Sequence, residues 1–166
     1  SVWIAFRVDG ISGNGSVTDP YDGSTSVKFD TVVSNIPNNS VVNIGPGMFR
    51  TDNVWLWPTN LYVQGQGKGI TELRLSDAPR TGWDGQVRVI SMTGTNSALL
   101  NITIDGNASS LTATNYATNS IGGCVIATSP SFNQLQNQGR IENVELRNIR
   151  GSYANGAESF GLMATV

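Results

Sequence analysis

The sequence predicts an all-β protein, a single-stranded right-handed parallel β-helix with a short N-terminal capping α-helix. Three observations predict this fold class. Charged residues make up only 13 % of the chain beside 19 glycines, short apolar segments alternate with Gly, Asn and Pro, and one segment recurs about every 41 residues. The length of 166 residues suits one domain, which we expect to span residues 1–166.

The first predicted element is a capping helix over residues 25–36. Ser24 and Thr25 are candidates for its N-cap, because their hydroxyl groups accept hydrogen bonds from free backbone N–H groups. Pro37 should end the helix, since proline cannot continue it. The apolar residues expected to share a face, with Phe29 nearby, are Val27, Val32, Val33 and Ile36.

The coils are expected over residues 40–166. Three segments, 60–65, 101–106 and 143–148, share the pattern Asn-apolar-x-apolar and start 41 and 42 residues apart. Apolar residues at period two lie on one face of a strand, so we expect them to stack in columns inside the β-helix. These residues are Leu61, Val63, Ile102, Ile104, Val144 and Leu146.

The asparagines of this pattern are expected at equivalent corners. Asn60, Asn101 and Asn143 would form a ladder of side-chain amides about 4.8 Å apart from coil to coil. The alternative is that they are ordinary turn residues.

A second set of apolar segments falls between the members of the first, at 87–90, 124–127 and 160–163. One coil would therefore contain a strand from each set. Because a minimal coil is shorter than 41 residues, the spacing also predicts long surface loops, at 107–122 and 129–139. Such loops commonly form binding walls.

Composition excludes several functions. The formal net charge is −2 and the cationic residues are scattered, so we expect no nucleic-acid partner. The chain has no run of about 18 apolar residues, so we expect no membrane partner. It has no histidine and a single cysteine, Cys124, which excludes imidazole-based catalytic triads and an internal disulfide.

Three motifs resemble the pectate-lyase-like superfamily. Residues 13–19 before the helix are similar to its Gly-Asp-Gly-Val-Thr-Asp-Asp segment, and residues 41–49 to its apolar strand ending in Pro-Gly-Thr-Tyr. Residues 61–67 with 71–73 look like its Leu-x-Gly-x-Gly turn and following strand. The chain departs from the first motif at Pro20, where the family has a second Asp.

Within this superfamily, the sequence resembles particularly the pectate lyase 3 type domains at the start of many polysaccharide-active β-helix proteins and phage tailspikes. It covers about residues 6–165 and implies a polysaccharide partner and a location outside the cell or on a cell or virion surface. No second cap follows the last strand, and an uncovered coil exposes unpaired backbone groups. We therefore expect the chain to be a fragment of a longer β-helix or to self-associate through its C-terminal end.

The outward positions of the three aligned segments are expected to form two columns. The first column contains Tyr62, Thr103 and Glu145, and the second contains Gln64, Asp105 and Arg147. In uronic-acid lyases of the resembled superfamily, acidic residues hold Ca²⁺ and an Arg or Lys removes a proton from the sugar. The resemblance thus implies catalytic roles for Asp105, Glu145 and Arg147, with Asp105 and Glu145 as Ca²⁺ ligands. The alternative is that Asp105 and Arg147 form an ion pair between coils.

The remaining column residues, Tyr62, Gln64 and Thr103, are candidates for substrate binding. Trp55, Trp57 and Trp83 join them, because sugars stack on exposed aromatic rings. Period two places Trp55 and Trp57 on one face. That face forms an external platform if Val54 and Leu56 point inwards, and otherwise both rings are buried.

Two functions are compatible with these features. The first is a polysaccharide-active or polysaccharide-binding β-helix, acting as a lyase on an acidic glycan if it is catalytic. The second is a non-catalytic structural or glycan-binding module, of the kind found in tailspikes and surface fibres. The missing histidine and the two lysines, Lys28 and Lys68, favour the second.

Overall fold

The structure is a computed structural model that describes residues 1–77, 86–92, 95–107, 109–110, 121–127, 139–149 and 159–164. This part of the chain is mostly β-strand and forms a curled, eight-stranded sheet and a second sheet of four strands, and all ten strand pairs in the two sheets are parallel. It contains no helix of the length and apolarity that a membrane crossing requires. The strands are β1 (Val2–Ala5), β2 (Tyr21–Asp22), β3 (Ser40–Ile44), β4 (Gly47–Thr51), β5 (Trp55–Leu56), β6 (Leu61–Gln64), β7 (Thr71–Leu75), β8 (Gln86–Ser91), β9 (Ala98–Asp105), β10 (Ile121–Ala127), β11 (Arg140–Arg147) and β12 (Ser159–Ala164).

The helix α1 spans Ser26–Val33, so it ends earlier than the expected residue 36. Its N-cap is Thr25, whose hydroxyl accepts a hydrogen bond from the backbone N–H of Lys28. Phe29 is fully buried against Phe49 and Trp55, at ring-centroid distances of 5.9 and 5.8 Å. Val27 is 69 % exposed and does not share the buried face, contrary to the sequence prediction.

The first series of paired strands is β1, β3, β6 and the beginning of β9. Val42 pairs with Val63, and Val63 pairs with Leu99. The predicted alignment of residues 60–65 with 101–106 is therefore wrong by five residues, since Val63 lies beside a residue 36 positions later rather than 41.

The second series is β4, β7 and the end of β9, in which Phe49 pairs with Leu73 and Leu73 with Ile104. The strand β9 thus belongs to both series. The turn at residues 65–70 separates β6 from β7, whereas β9 continues without interruption past Asn101. This difference in length explains why the alignment in the sequence does not match the register in space.

The predicted alignment of residues 101–106 with 143–148 is confirmed, because β11 lies on β9 with Ile102 beside Val144 and Ile104 beside Leu146. The second set of apolar segments is also confirmed as neighbouring strands. In this set, β5 pairs with β8, β8 with β10, and β10 with β12.

The predicted interior residues do point inwards. Leu61, Val63, Ile102 and Ile104 are fully buried, and Val144 and Leu146 are partly buried against the same core. Most of the two predicted loops, 107–122 and 129–139, and all of Trp83 lie outside the described residues. Within the first loop, Ile121 and Gly122 belong to β10.

Candidate functional site

The two predicted columns of outward residues divide between two surfaces. Thr103 lies beside Glu145 and Asp105 beside Arg147, as predicted. Tyr62 instead pairs with Ala98, and Gln64 with Leu100, so neither lies in the column where the sequence alignment placed it. The register of β6 on β9 causes this separation.

We call the first surface the charged face. It is formed by the outward side chains of β4, β7, the end of β9 and the end of β11, and by two residues that follow these strands. Its ionisable residues are Arg50, Glu72, Arg74, Asp77, Asp105, Glu145 and Arg147.

Asp105 is the most buried carboxylate of this face, at 1 % exposure. Its Oδ2 atom accepts hydrogen bonds from Arg147 Nε at 2.9 Å and from Asn148 Nδ2 at 2.8 Å. Its Oδ1 atom accepts from the backbone N–H of Asn107 at 2.7 Å. Both oxygens of Asp105 are therefore occupied within the fold.

The guanidinium of Arg147 is held by three carboxylates. Besides Asp105, it donates from Nη2 to Glu72 Oε2 at 2.7 Å and lies 3.7 Å from Glu145 Oε2. The hydrogen bond to Asp105, followed by the negative charges of Glu72 and Asp105, raises the pKa of Arg147 above its ordinary value. Arg147 is thus fixed in its protonated form.

Thr103 connects this network to the rest of the sheet. Its hydroxyl donates to Glu145 Oε2 at 2.9 Å and accepts from the backbone N–H of Gly69 at 3.0 Å. The side chain is fully buried, so Thr103 is not accessible to a large ligand as the structure stands.

A second part of the charged face surrounds Asn107, which is also fully buried. Its amide donates to Asp77 Oδ1 at 2.7 Å and accepts from Arg74 Nη2 at 2.5 Å. The hydrogen bond from Asn107, followed by the charges of Arg50 and Arg74, lowers the pKa of Asp77 below 3.8 despite some desolvation.

Sequence reasoning missed Glu72, Arg74 and Asn107. Glu72 and Arg74 alternate with apolar residues in the segment 71–75, which marks them as outward residues of a strand. Only the register shows that Glu72 lies beside Thr103 and Arg74 beside Asp105.

The charged face does not fit a Ca²⁺ ion as it is built. The carboxylates of Asp105 and Glu145 that were expected to bind the ion already surround the Arg147 guanidinium. Among the described residues, no group of three or more acidic, His or Cys side chains is arranged to hold a metal. Calcium binding by Asp105 and Glu145 stays a prediction, and it requires Arg147 to move.

We call the second surface the amide face, which lies outside β3, β6, the beginning of β9 and the beginning of β11. Asn60 Nδ2 donates to Asn39 Oδ1 at 2.6 Å, and Asn96 Nδ2 donates to Asn60 Oδ1 at 2.9 Å. The three residues have positive φ angles of 62°, 57° and 52° in chain order. Asparagine tolerates this left-handed conformation better than most residues.

The predicted amide ladder therefore exists with a different membership. Asn60 stacks with Asn39 and Asn96, whereas Asn101 stacks with Asn143 in a second ladder, through a hydrogen bond of 2.8 Å. Asn39 and Asn96 could have been identified in the sequence, because each comes one or two residues before an apolar strand, as Asn60 does.

Tyr62 lies beside the first ladder. Its side chain is 39 % exposed, and its hydroxyl donates to Asn96 Oδ1 at 3.0 Å. Its strand neighbour is Ala98, whose small side chain leaves room for the ring to lie across β9. Gln64 donates to Asn43 Oδ1 at 2.5 Å further along the same face.

The tryptophans do not form an external platform. Trp55 and Trp57 point to the same side, as predicted, but their exposures are 2 % and 3 % while Leu56 is 63 % exposed. The buried alternative is correct because Trp55 packs edge-on against Phe29 and Trp57, with ring centroids 5.8 and 5.4 Å apart. Both tryptophans line one wall of a groove of about 780 Å³ beside α1.

Comparisons with models of known protein families, with curated proteins and with solved structures find no significant match. The resemblance to the pectate-lyase-like superfamily therefore stays a prediction from the three sequence motifs.

Proposed function

We propose that this chain is a right-handed parallel β-helix that binds polysaccharide on its amide face and does not cleave it. The order of the strands supports the β-helix. Along the chain, the strands of successive coils would be β3, β4 and β5, then β6, β7 and β8, then the long β9 with β10, and then β11 with β12. Each strand pairs in parallel with the equivalent strand of the next coil. Crossovers between parallel strands are right-handed in about 98 % of cases.

The observation that carries the binding function is the exposed ring of Tyr62 beside the amide ladder. An aromatic ring offers a flat apolar surface to the C–H groups of a sugar, and neighbouring amides offer donors and acceptors to its hydroxyl groups. Tyr62 and Gln64 keep their predicted role in substrate binding on this face.

The state of Arg147 supports a non-catalytic role. A general base must give up its proton near the operating pH, whereas three carboxylates hold Arg147 in its protonated form. Asp105 has both oxygens occupied by neighbouring donors. The network has the features of a structural cross-link between strands.

Binding is tested by affinity electrophoresis in gels that contain soluble polysaccharides. We expect at least one polysaccharide to retard the protein, Tyr62→Ala to abolish the retardation, and Tyr62→Phe to keep most of it because the ring remains. The control is Leu56→Ala, which removes an even more exposed side chain from another sheet. Equal retardation of Tyr62→Ala and the unchanged protein would contradict the proposal.

A lyase is the second candidate, because the structure brings Asp105, Glu145 and Arg147 together as the sequence predicted. Its test is absorbance at the unsaturated uronate band, with acidic polysaccharides and added Ca²⁺. We expect no product. Product formation that is lost in Arg147→Lys, while the melting temperature is unchanged, would establish the lyase instead.

The pectate-lyase-like family, the location outside the cell or on a surface, and association or continuation through the C-terminal end remain predictions beside this proposal.

A further inference from the structure

The amide face has an unusual charge distribution. Its outward residues form two rows that run across β3, β6, β9 and β11. The first row is Val41, Tyr62, Ala98 and Arg140, and the second row is Asn43, Gln64, Leu100 and Glu142. The two ionisable residues, Arg140 and Glu142, pair with each other through a hydrogen bond of 2.8 Å. The described part of this face is therefore neutral, with its one cation already paired.

The polar groups beside Tyr62 are uncharged amides. In the ladder, one hydrogen atom of Asn60 Nδ2 and one of Asn96 Nδ2 bind the next asparagine. Each amide nitrogen carries a second hydrogen atom, and the hydrogen bonds of the ladder are solvent-exposed. Neutral donors of this kind match sugar hydroxyl groups, which donate and accept in turn.

An anionic sugar would require a binding site with charged donors. A carboxylate that leaves water is stabilised by a charged donor such as Arg or Lys, and an amide replaces that interaction only in part. Lys68 lies in the turn at residues 65–70, which follows the C-terminal end of β6. The amide ladder lies at the N-terminal end of the same strand, where Asn60 precedes Leu61.

The charged face does not offer a better site for an anion. Its three arginines are outnumbered by four carboxylates, which are Glu72, Asp77, Asp105 and Glu145. Arg50 is paired with Asp77 at 3.2 Å, and Arg147 with three carboxylates. A negatively charged polymer would experience net repulsion there.

We propose that the ligand of the amide face is an uncharged polysaccharide. This inference rests on the proposed function and adds the chemical class of the ligand. Tyr62 would stack against a sugar ring, and the amides of Asn39, Asn60 and Asn96 would bind hydroxyl groups along the stack of strands.

The test compares polysaccharides that share a backbone and differ in charge. Suitable pairs are hydroxyethylcellulose with carboxymethylcellulose, dextran with carboxymethyldextran, and galactomannan with its carboxylated derivative. We expect the neutral member of a pair to retard the protein at least threefold more strongly. Between about 0.05 and 0.5 M salt the retardation should change less than twofold, since binding releases no counterions.

A charge variant sharpens this test. Val41 is 41 % exposed and lies beside Tyr62 in the neighbouring strand. Val41→Lys should raise the ratio of acidic to neutral binding severalfold and make it sensitive to salt. Leu56→Lys, which adds the same charge on the other sheet, should leave the ratio unchanged.

The outcomes separate the two proposals. Stronger, salt-sensitive binding of the acidic members that still needs Tyr62 would overturn the ligand class and keep the binding face. Absence of retardation by every polymer, or retardation that does not depend on Tyr62, would overturn the proposed function itself.

Discussion

The amide face and the charged face share the strands β9 and β11 and differ in how their polar groups are used. On the charged face, Asp105 and Asn107 are buried and each makes at least three hydrogen bonds to neighbouring groups. On the amide face, the ladder asparagines Asn39, Asn60 and Asn96 link to each other through single hydrogen bonds that are exposed to solvent. The first arrangement stabilises the stack of strands, and the second leaves donors free for a ligand.

The comparison also shows why residue type alone is a poor guide to function. The charged face contains the residues that resemble a lyase site, yet its ions neutralise one another. The described part of the amide face has one ion pair, Arg140 with Glu142, and it offers the exposed aromatic ring of Tyr62.

The largest expected effect is on the charged face. Asp105→Ala removes the acceptor of three hydrogen bonds, which come from the backbone N–H of Asn107, from Asn148 Nδ2 and from Arg147 Nε. We expect the free energy of unfolding to fall by about 3 kcal/mol, measured by urea denaturation. The matched control on the amide face is Glu142→Ala, which breaks an exposed pair and should have no measurable effect. Equal losses in the two variants would show that the faces do not differ as described.

The next effect concerns Gly65, which lies between β6 of the amide face and β7 of the charged face. A Cβ atom on Gly65 would lie 2.5 Å from the carbonyl oxygen of Asn101 and 2.8 Å from Thr71 Cβ. Gly65→Ala should therefore force the two series of strands apart and cost about 2 kcal/mol. At Gly45, the nearest atom would be 3.4 Å away, so Gly45→Ala should be tolerated. The melting temperatures of the two variants check this, and a tolerated Gly65→Ala would mean that the close approach is absent.

The amide ladder is expected to contribute less than the charged network. Asn60→Ala removes the two hydrogen bonds of the central amide and places alanine at a φ of 57°, which together should cost about 2 kcal/mol. Asn60→Gly removes the amide but accepts the positive φ, so its cost should be about 1 kcal/mol smaller. If urea denaturation finds no difference between these variants, the backbone at residue 60 is not left-handed.

The smallest expected effect is the response to acid. The hydrogen bond from Asn107, followed by the charges of Arg50 and Arg74, lowers the pKa of Asp77 below 3.8 in the fold, so these interactions stabilise the protein fully above that pH. This stabilisation is lost as the pH falls through the lower value of the folded state. In NMR spectra, the side-chain amide of Asn107 should shift as Asp77 binds its proton, while the amide of Asn60, which contacts no carboxylate in its ladder, should not. Parallel shifts of both amides would indicate global unfolding instead.

Much of the local structure follows from the sequence because it depends on neighbouring residues. Alternation of apolar residues correctly identified Leu61, Val63, Ile102 and Ile104 as interior positions. Ser24 and Thr25 were recognisable as N-cap candidates from their side chains and positions, and the structure assigns the cap to Thr25. The pairing of 101–106 with 143–148 was also predictable, since no difference in turn length separates β9 from β11.

The tertiary structure decided which residues share a surface. The turn at residues 65–70 shifts β6 against β9, so Tyr62 and Gln64 lie on the amide face while Thr103 and Asp105 lie on the charged face. Alternation along the strand placed Trp55 and Trp57 on one side and left open whether that side faces solvent or the core. Packing of Trp55 against Phe29 places both rings in the core. The sequence by itself determined the alternation within each strand, because that is a property of the extended backbone. The register between strands depends on the lengths of the connections and on packing of the shared core, which no single strand contains.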